Sequence, residues 1–305
     1  MSVQPDPAGA GRLMEAELAS QPQCWRRAAE LAPGVAGLLP RPGERVAVVG
    51  CGTSWFIGQS YAAAREAAGH GETDAFAASQ LPAGRRYDRV VVLSRSGTTT
   101  EILDLQARLS GLAPMLAITA DPAGPVAQRA DAVIALDFAD EQSVVQTRFA
   151  TTELVLLLAG LGHDTARSAA AATTVLARPV PAGLLGARQF TFLGSGWTCG
   201  LASEAALKLR EAAGMWTESY PAMEYRHGPI AVTGPGSIVW PLGGELPDGL
   251  AGEIDAAGGV AWPGSGEPLA DLVAVQQLAL ALGRARGLDP DQPRNLTRSV
   301  ILARP

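Results

Sequence analysis

The sequence reads as an α/β protein built of two similar, doubly wound three-layer (αβα) lobes with mainly parallel sheets. Three observations predict it. Short β-branched runs such as RVAVVG (45–50) and RVVVL (89–93) are apolar throughout instead of alternating, as strands buried on both faces must be. Each run ends in a glycine- or hydroxyl-rich turn that opens a helix, the grammar of parallel strands joined by crossover helices. The pattern begins again at residue 189, beyond a Pro/Ala/Gly-rich stretch at 177–187. With 305 residues, 47% hydrophobic and 18% charged, the chain has enough apolar mass for two cores.

Taken in order, residues 1–12 read as a flexible tail, and 14–32 as an amphipathic helix followed by a Pro/Gly connector over 33–43. The strand at 45–50 ends in Gly-Cys-Gly-Thr-Ser and enters a helix from Trp55 to about Gly69. The strand at 89–93 ends in SRSGTTT and enters a helix over 101–109. PMLAIT (114–119) is a third strand, with a short helix over 125–129; 132–136 is a fourth. A long helix follows from about Gln146 to Leu161. In the second half, QFTFL (189–193) ends in Gly-Ser-Gly and enters a helix carrying Glu204, Lys208 and Glu211. SIVWPL (237–242) and 260–262 are strands, and 269–282 is a helix. The domain division expected is 1–23 for the tail and the start of the first helix, 24–176 for the first lobe, and 177–305 for the second lobe with its C-terminal tail.

A net charge of -6 argues against a nucleic-acid partner, which needs a basic footprint. Cys24, Cys51 and Cys199 show neither paired nor metal-ligand spacing, which points to a reducing compartment and to no structural metal. The first residues lack the apolar core of a secretory signal. The longest apolar stretches, such as 154–161, fall short of a membrane span. The expectation is a cytoplasmic protein with no membrane partner.

The loop Gly50-Cys51-Gly52-Thr53-Ser54 allows close backbone approach at a helix start, where amides favour an anion; an ordinary tight turn fits it as well. The loop Ser94-Arg95-Ser96-Gly97-Thr98-Thr99-Thr100 is more specific. One or two hydroxyls would suffice as helix caps, and this loop has five. Hydroxyls and amides together suit a phosphate monoester without a metal. There is no GxxxxGK[ST] loop, and position 55 is Trp where GxGxxG needs glycine, so neither nucleotide hydrolysis nor a nicotinamide cofactor is expected. Glu141–Arg148 (EQSVVQTR) reads as a polar helix start capped by Ser143 or Thr147. Glu211 and Lys208, three apart, fit a solvated ion pair, and His227 fits a turn histidine; together they are also acid–base candidates.

The set GCGTS, SRSGTTTE, EQSVVQTR, EAALKLRE…EYRHGP and DQPRNLTRSV, in this order over about residues 25–303, resembles the double sugar-isomerase (SIS) family. The likeness is to the isomerase half of the glutamine–fructose-6-phosphate aminotransferases, the amino-sugar-phosphate deaminases, and the tagatose/galactosamine-6-phosphate group. It implies a sugar phosphate held by Ser54, Ser94, Ser96 and Thr99, with backbone help from Cys51, Gly52, Thr53 and Arg95, and with Val144 near the sugar. It implies that Glu211 moves a proton between C1 and C2 and that His227 assists ring opening from the partner subunit of a homodimer. Glu204 and Lys208 would line the site, and no cofactor or metal is implied.

Two departures qualify the likeness. Only a short stretch precedes Met14, so a glutamine-hydrolysing domain is not expected, nor glutamine-fed amination. The family's imine-forming lysine falls at Arg298, and a guanidinium stays protonated and forms no imine. The resulting expectation is a hexose or amino-hexose 6-phosphate isomerase, with deamination where the sugar carries a 2-amino group. The alternative is a non-catalytic sugar-phosphate sensor, which Arg298 favours and the retained Glu211 and His227 oppose.

Overall fold

The computed structural model describes residues 9–303 and divides into two compact units, each with its own parallel sheet. Most of the tail expected over 1–12 lies outside the described residues. Residues 9–12, however, are ordered: the Gly11 amide donates to Asp289 Oδ1 (2.8 Å), Ala10 is buried, and helix α1 (Arg12–Val35) begins there. The helix also runs through Pro33 into the expected connector. Its buried residues Met14, Leu18, Trp25, Ala28 and Ala32 follow the three-to-four spacing of one helical face.

One unit comprises Gln23–Glu141, Arg148–Ala166 and the residues from Thr297 on. Its strands are β1 (Val46–Gly50), β2 (Thr73–Ala77), β3 (Arg89–Leu93), β4 (Met115–Thr119) and β5 (Ala132–Ala135). They lie in the order β2-β1-β3-β4-β5, all parallel, with Val49 beside Val92 and Val92 beside Ala117. The chain winds outward in both directions from β1, so the order reverses between β1 and β3. The crevice beyond the carboxyl ends of these two strands is where such sheets take ligands. Helix α2 (Thr53–Ala67) follows β1, and α3 (Thr100–Leu109) follows β3. Short α4 (Pro125–Gln128) precedes β5, and α5 (Arg148–Gly160) is buried over most of its length. Val49, Val92, Ile102, Leu105 and Ala117 centre the core on one side of the sheet.

A carboxylate caps the start of α5. Glu141, not Ser143, takes the free amides of Arg148 (2.9 Å) and Phe149 (3.0 Å), and the helix starts at Arg148. A carboxylate reaches two donors and favours the positive helix end. The Ser143 hydroxyl donates instead to the Val145 carbonyl (2.6 Å).

The other unit comprises the residues up to Pro22, Gln142–Thr147 and Arg167–Leu296. After helices α6 (Thr165–Leu176) and α7 (Ala182–Leu185) come β6 (Gln189–Gly194), α8 (Thr198–Ala213), β7 (Thr217–Pro221), β8 (Ser237–Pro241), α9 (Leu250–Ala256), β9 (Val260–Ala261) and α10 (Pro268–Ala285). The sheet order is β7-β6-β8-β9, again parallel. Tyr220 and Pro221 end edge strand β7; the edge tolerates a proline because one side of the strand has no ladder to complete. Helix α10 packs closely on α8. A Cβ at Gly283 would come within 2.5 Å of the Ala212 carbonyl, so only glycine permits this approach.

The two βα turns share their glycine spacing. A Cβ at Gly50 would meet the Ser54 backbone at 2.5 Å, and one at Gly194 the Thr198 backbone at 2.4 Å. Two residues on, Gly52 (φ 54°) and Gly196 (φ 55°) both take a positive φ, which glycine adopts without steric clash. Among the described residues, no helix is long and apolar enough to cross a membrane.

Candidate functional site

The hydroxyl loop sits at the β1/β3 switch point. Ser94 and Arg95 are buried at the end of β3, where the Ser94 amide extends the ladder to Ile118 (3.1 Å). Gly97 turns the chain with φ 65°. Thr99 stands at the N-cap of α3 without a capping hydrogen bond from its side chain, and Gly52, without a side chain, stands at that of α2. The hydroxyls are therefore not spent on capping. Thr98 donates its amide (3.3 Å) and its hydroxyl (3.2 Å) to Ser96 Oγ. On the neighbouring loop, Thr53 and Ser54 are buried in the first turn of α2. Burial, with the charge of Glu101, pushes the Cys51 thiol up to about 11, so it stays protonated and is no nucleophile.

A segment far along the chain joins this loop. Arg95 donates to the Arg298 carbonyl (2.9 Å), and the Thr100 amide to the Val300 carbonyl (3.1 Å). The Ser299 hydroxyl lies 3.1 Å from Ser96 Oγ, 3.0 Å from Thr98 Oγ1 and 3.4 Å from Thr99 Oγ1. An open cavity of about 560 Å³ runs beside them, lined also by Asp121, Asp140 and Arg298. The Arg298 guanidinium grips both oxygens of Asp140 (2.6 and 2.8 Å) and donates to the Glu141 carbonyl. Sequence motifs single out Arg298 but pass over Ser299 and Asp140. The signal was adjacency: Ser299 follows Arg298, and Asp140 precedes the EQSVVQTR run.

In the other unit, α8 presents Glu204, Lys208 and Glu211 on one face. Lys208 is the single lysine of the chain and is fully buried. Its ammonium lies 2.5 Å from Glu211 Oε2 and 3.3 Å from Glu204 Oε1. Burial works against the ammonium, but the two carboxylates outweigh it and raise the Lys208 pKa, so the side chain stays charged. Glu204 is buried with it, whereas the Glu211 side chain keeps 20% of its exposure. Glu211 borders a cavity of about 630 Å³ shared with Arg210, Arg286, Gln292, Arg294 and Asn295. His227, exposed at the end of a short 3₁₀ helix (Ala222–His227), does not line that cavity. Val144 gives its amide to the Asp291 carbonyl (3.2 Å).

Beyond the carboxyl ends of β8 and β9, a buried carboxylate ties two turns together. Asp271 of α10 takes the amides of Gly243 (2.8 Å) and Ser265 (2.5 Å). Burial raises its pKa, against the pull of those amides. Among the described residues, no group of His, Cys, Asp and Glu is arranged to hold a metal ion.

Comparison with known proteins agrees with this architecture. Residues 41–160 match the SIS domain. The glutamine–fructose-6-phosphate aminotransferase of Aeropyrum pernix is 30% identical over 88% of the chain and 52% of its own length; that of Salmonella typhi is 29% identical over 90% and 54%. The chain thus spans about half the length of the curated relatives it matches. Among solved structures, the glucosamine-6-phosphate deaminase of Thermotoga maritima superposes with a TM-score of 0.76 at 22% identity, covering 94% of this chain and 99% of that one. The tagatose-6-phosphate ketose/aldose isomerase of Escherichia coli gives 0.76 at 20% identity, covering both chains fully. Residues 41–160 are thus a SIS domain, set in a fold that the whole chain shares with these solved structures.

Proposed function

We propose that the protein is an aldose–ketose isomerase of a hexose or amino-hexose 6-phosphate, releasing ammonia where the substrate carries a 2-amino group. The observation that carries this reading is the Glu204–Lys208–Glu211 triad. A lone buried lysine between two carboxylates anchors Glu211 by an ion pair, while Glu211 alone keeps an exposed edge on a cavity. A carboxylate held this way suits a general base that carries a proton between C1 and C2. Ser54, Ser94, Ser96 and Thr99, with the backbone of Cys51, Gly52, Thr53 and Arg95, would fix the phosphate. Its binding energy would then position the reacting carbons.

His227 would assist ring opening, contributed to a neighbouring subunit's site in a homodimer; its exposure supports that role. Glu204 and Lys208 would hold the base, and Val144 would lie near the sugar. Arg298, bound to Asp140 and the Glu141 carbonyl, would act by holding its own segment in place, with no imine formed. The reading is tested by incubating the protein with glucosamine, galactosamine, glucose and fructose 6-phosphates while following ammonia and ketose. Turnover of at least one is expected. Binding without turnover of any would support a sensor instead.

A further inference from the structure

We propose that Ser299 is a phosphate ligand, brought to the hydroxyl loop by the Arg298–Leu302 segment; the inference rests on the phosphate reading of that loop. Four hydroxyl oxygens converge there, those of Ser96, Thr98, Thr99 and Ser299, with Ser299 within 3.4 Å of each of the others. Each hydroxyl carries one proton and two lone pairs. Facing one another they donate hydrogen bonds only among themselves, whereas a dianion can take one from every hydroxyl.

The placement of Ser299 does not depend on its hydroxyl. Arg95 holds the carbonyl just before it, the Thr100 amide the carbonyl just after it, and the Leu302 amide donates to Thr100 Oγ1 (2.9 Å). Arg298 is locked on Asp140 and the Glu141 carbonyl. An arriving phosphate therefore need not expel the segment; a rotation of hydroxyl protons suffices. The carboxylates lining the adjacent cavity are already engaged. Asp140 is neutralised by Arg298, and Asp121 accepts the amide of Ala123 (3.1 Å). A ligand delivered this way makes phosphate affinity depend on a segment about 200 residues from the loop.

The test is a titration of the full chain with inorganic phosphate, followed by ³¹P NMR, for the wild type, Ser96→Ala, Ser299→Ala, Ser299→Thr and Asp140→Asn. Ser299→Ala should weaken binding about tenfold, as Ser96→Ala does, with an unchanged melting temperature. Ser299→Thr, which keeps the hydroxyl, should retain most of the affinity. Asp140→Asn should weaken binding about threefold by loosening the segment. Unchanged or tighter binding by Ser299→Ala, beside weakened binding by Ser96→Ala, would overturn the role of Ser299 and leave the phosphate reading standing. Failure of the wild type to bind phosphate would overturn both.

Discussion

The Lys208 ammonium sits 2.5 Å from Glu211 and 3.3 Å from Glu204, with no exposure of its own. One positive charge therefore serves two carboxylates in a dry interior, and only Glu211 reaches the cavity edge. The arrangement is costly to disturb. Removing one member of a buried ionic cluster leaves a charge with neither water nor a counterion.

Lys208→Met should lower unfolding free energy by about 3 kcal/mol, measured by urea denaturation at neutral pH. Adding Glu204→Gln should recover about 1–2 kcal/mol, because the stranded charge is then gone. The gap between wild type and Lys208→Met also has a defined pH dependence. The folded pKa of Lys208 is raised, so its contribution is fully present below the unfolded value of about 10.4 and is lost as pH climbs through the folded one. The gap should be flat with respect to Lys208 ionisation up to about pH 10 and narrow above it.

Borohydride should trap no sugar on the protein. Position 298 carries a guanidinium, and the chain's single lysine is held protonated between carboxylates. Intact-mass measurement after reduction with fructose 6-phosphate should show no added sugar on Lys208. A stable adduct there would mean an imine route.

The matched glycines make a graded stability series. Gly50→Ala and Gly194→Ala force a Cβ to within 2.5 Å of backbone and should each cost about 3 kcal/mol. Gly52→Ala meets open space and strains only the backbone, whose φ of 54° with ψ of -123° suits glycine alone, for about 2 kcal/mol. Thermal melts of the three variants check the order.

Much of this was legible because buried parallel strands and βα turns leave local marks. β1, β3, β4, β6 and β8 are apolar runs, and Gly50 and Gly194 end two of them. The edge strands were not legible. TDAFA and TESYP are half-exposed and mixed in polarity, and Pro221 argues against a strand until its edge position is known. Helices α6 and α9 were missed as well: one is rich in alanine and threonine, and the other is a short stretch among glycines. In the site, Glu204, Lys208 and Glu211 were legible from helical spacing alone. Ser299 was not, since its meeting with Ser96 joins residues 203 apart and no periodicity records that. The capping of α5 by Glu141 was hidden because seven residues separate donor from acceptor.

The most direct measurement is deuterium exchange at C1 and C2 of the sugar phosphate, followed by NMR in D₂O. The wild type should wash solvent deuterium into at least one of glucosamine, galactosamine, glucose or fructose 6-phosphate. Glu211→Gln should abolish the exchange, by about 10³-fold or more, while phosphate affinity stays within about twofold. Exchange at the wild-type rate in Glu211→Gln would contradict the account, because the proton would then be moving through another group.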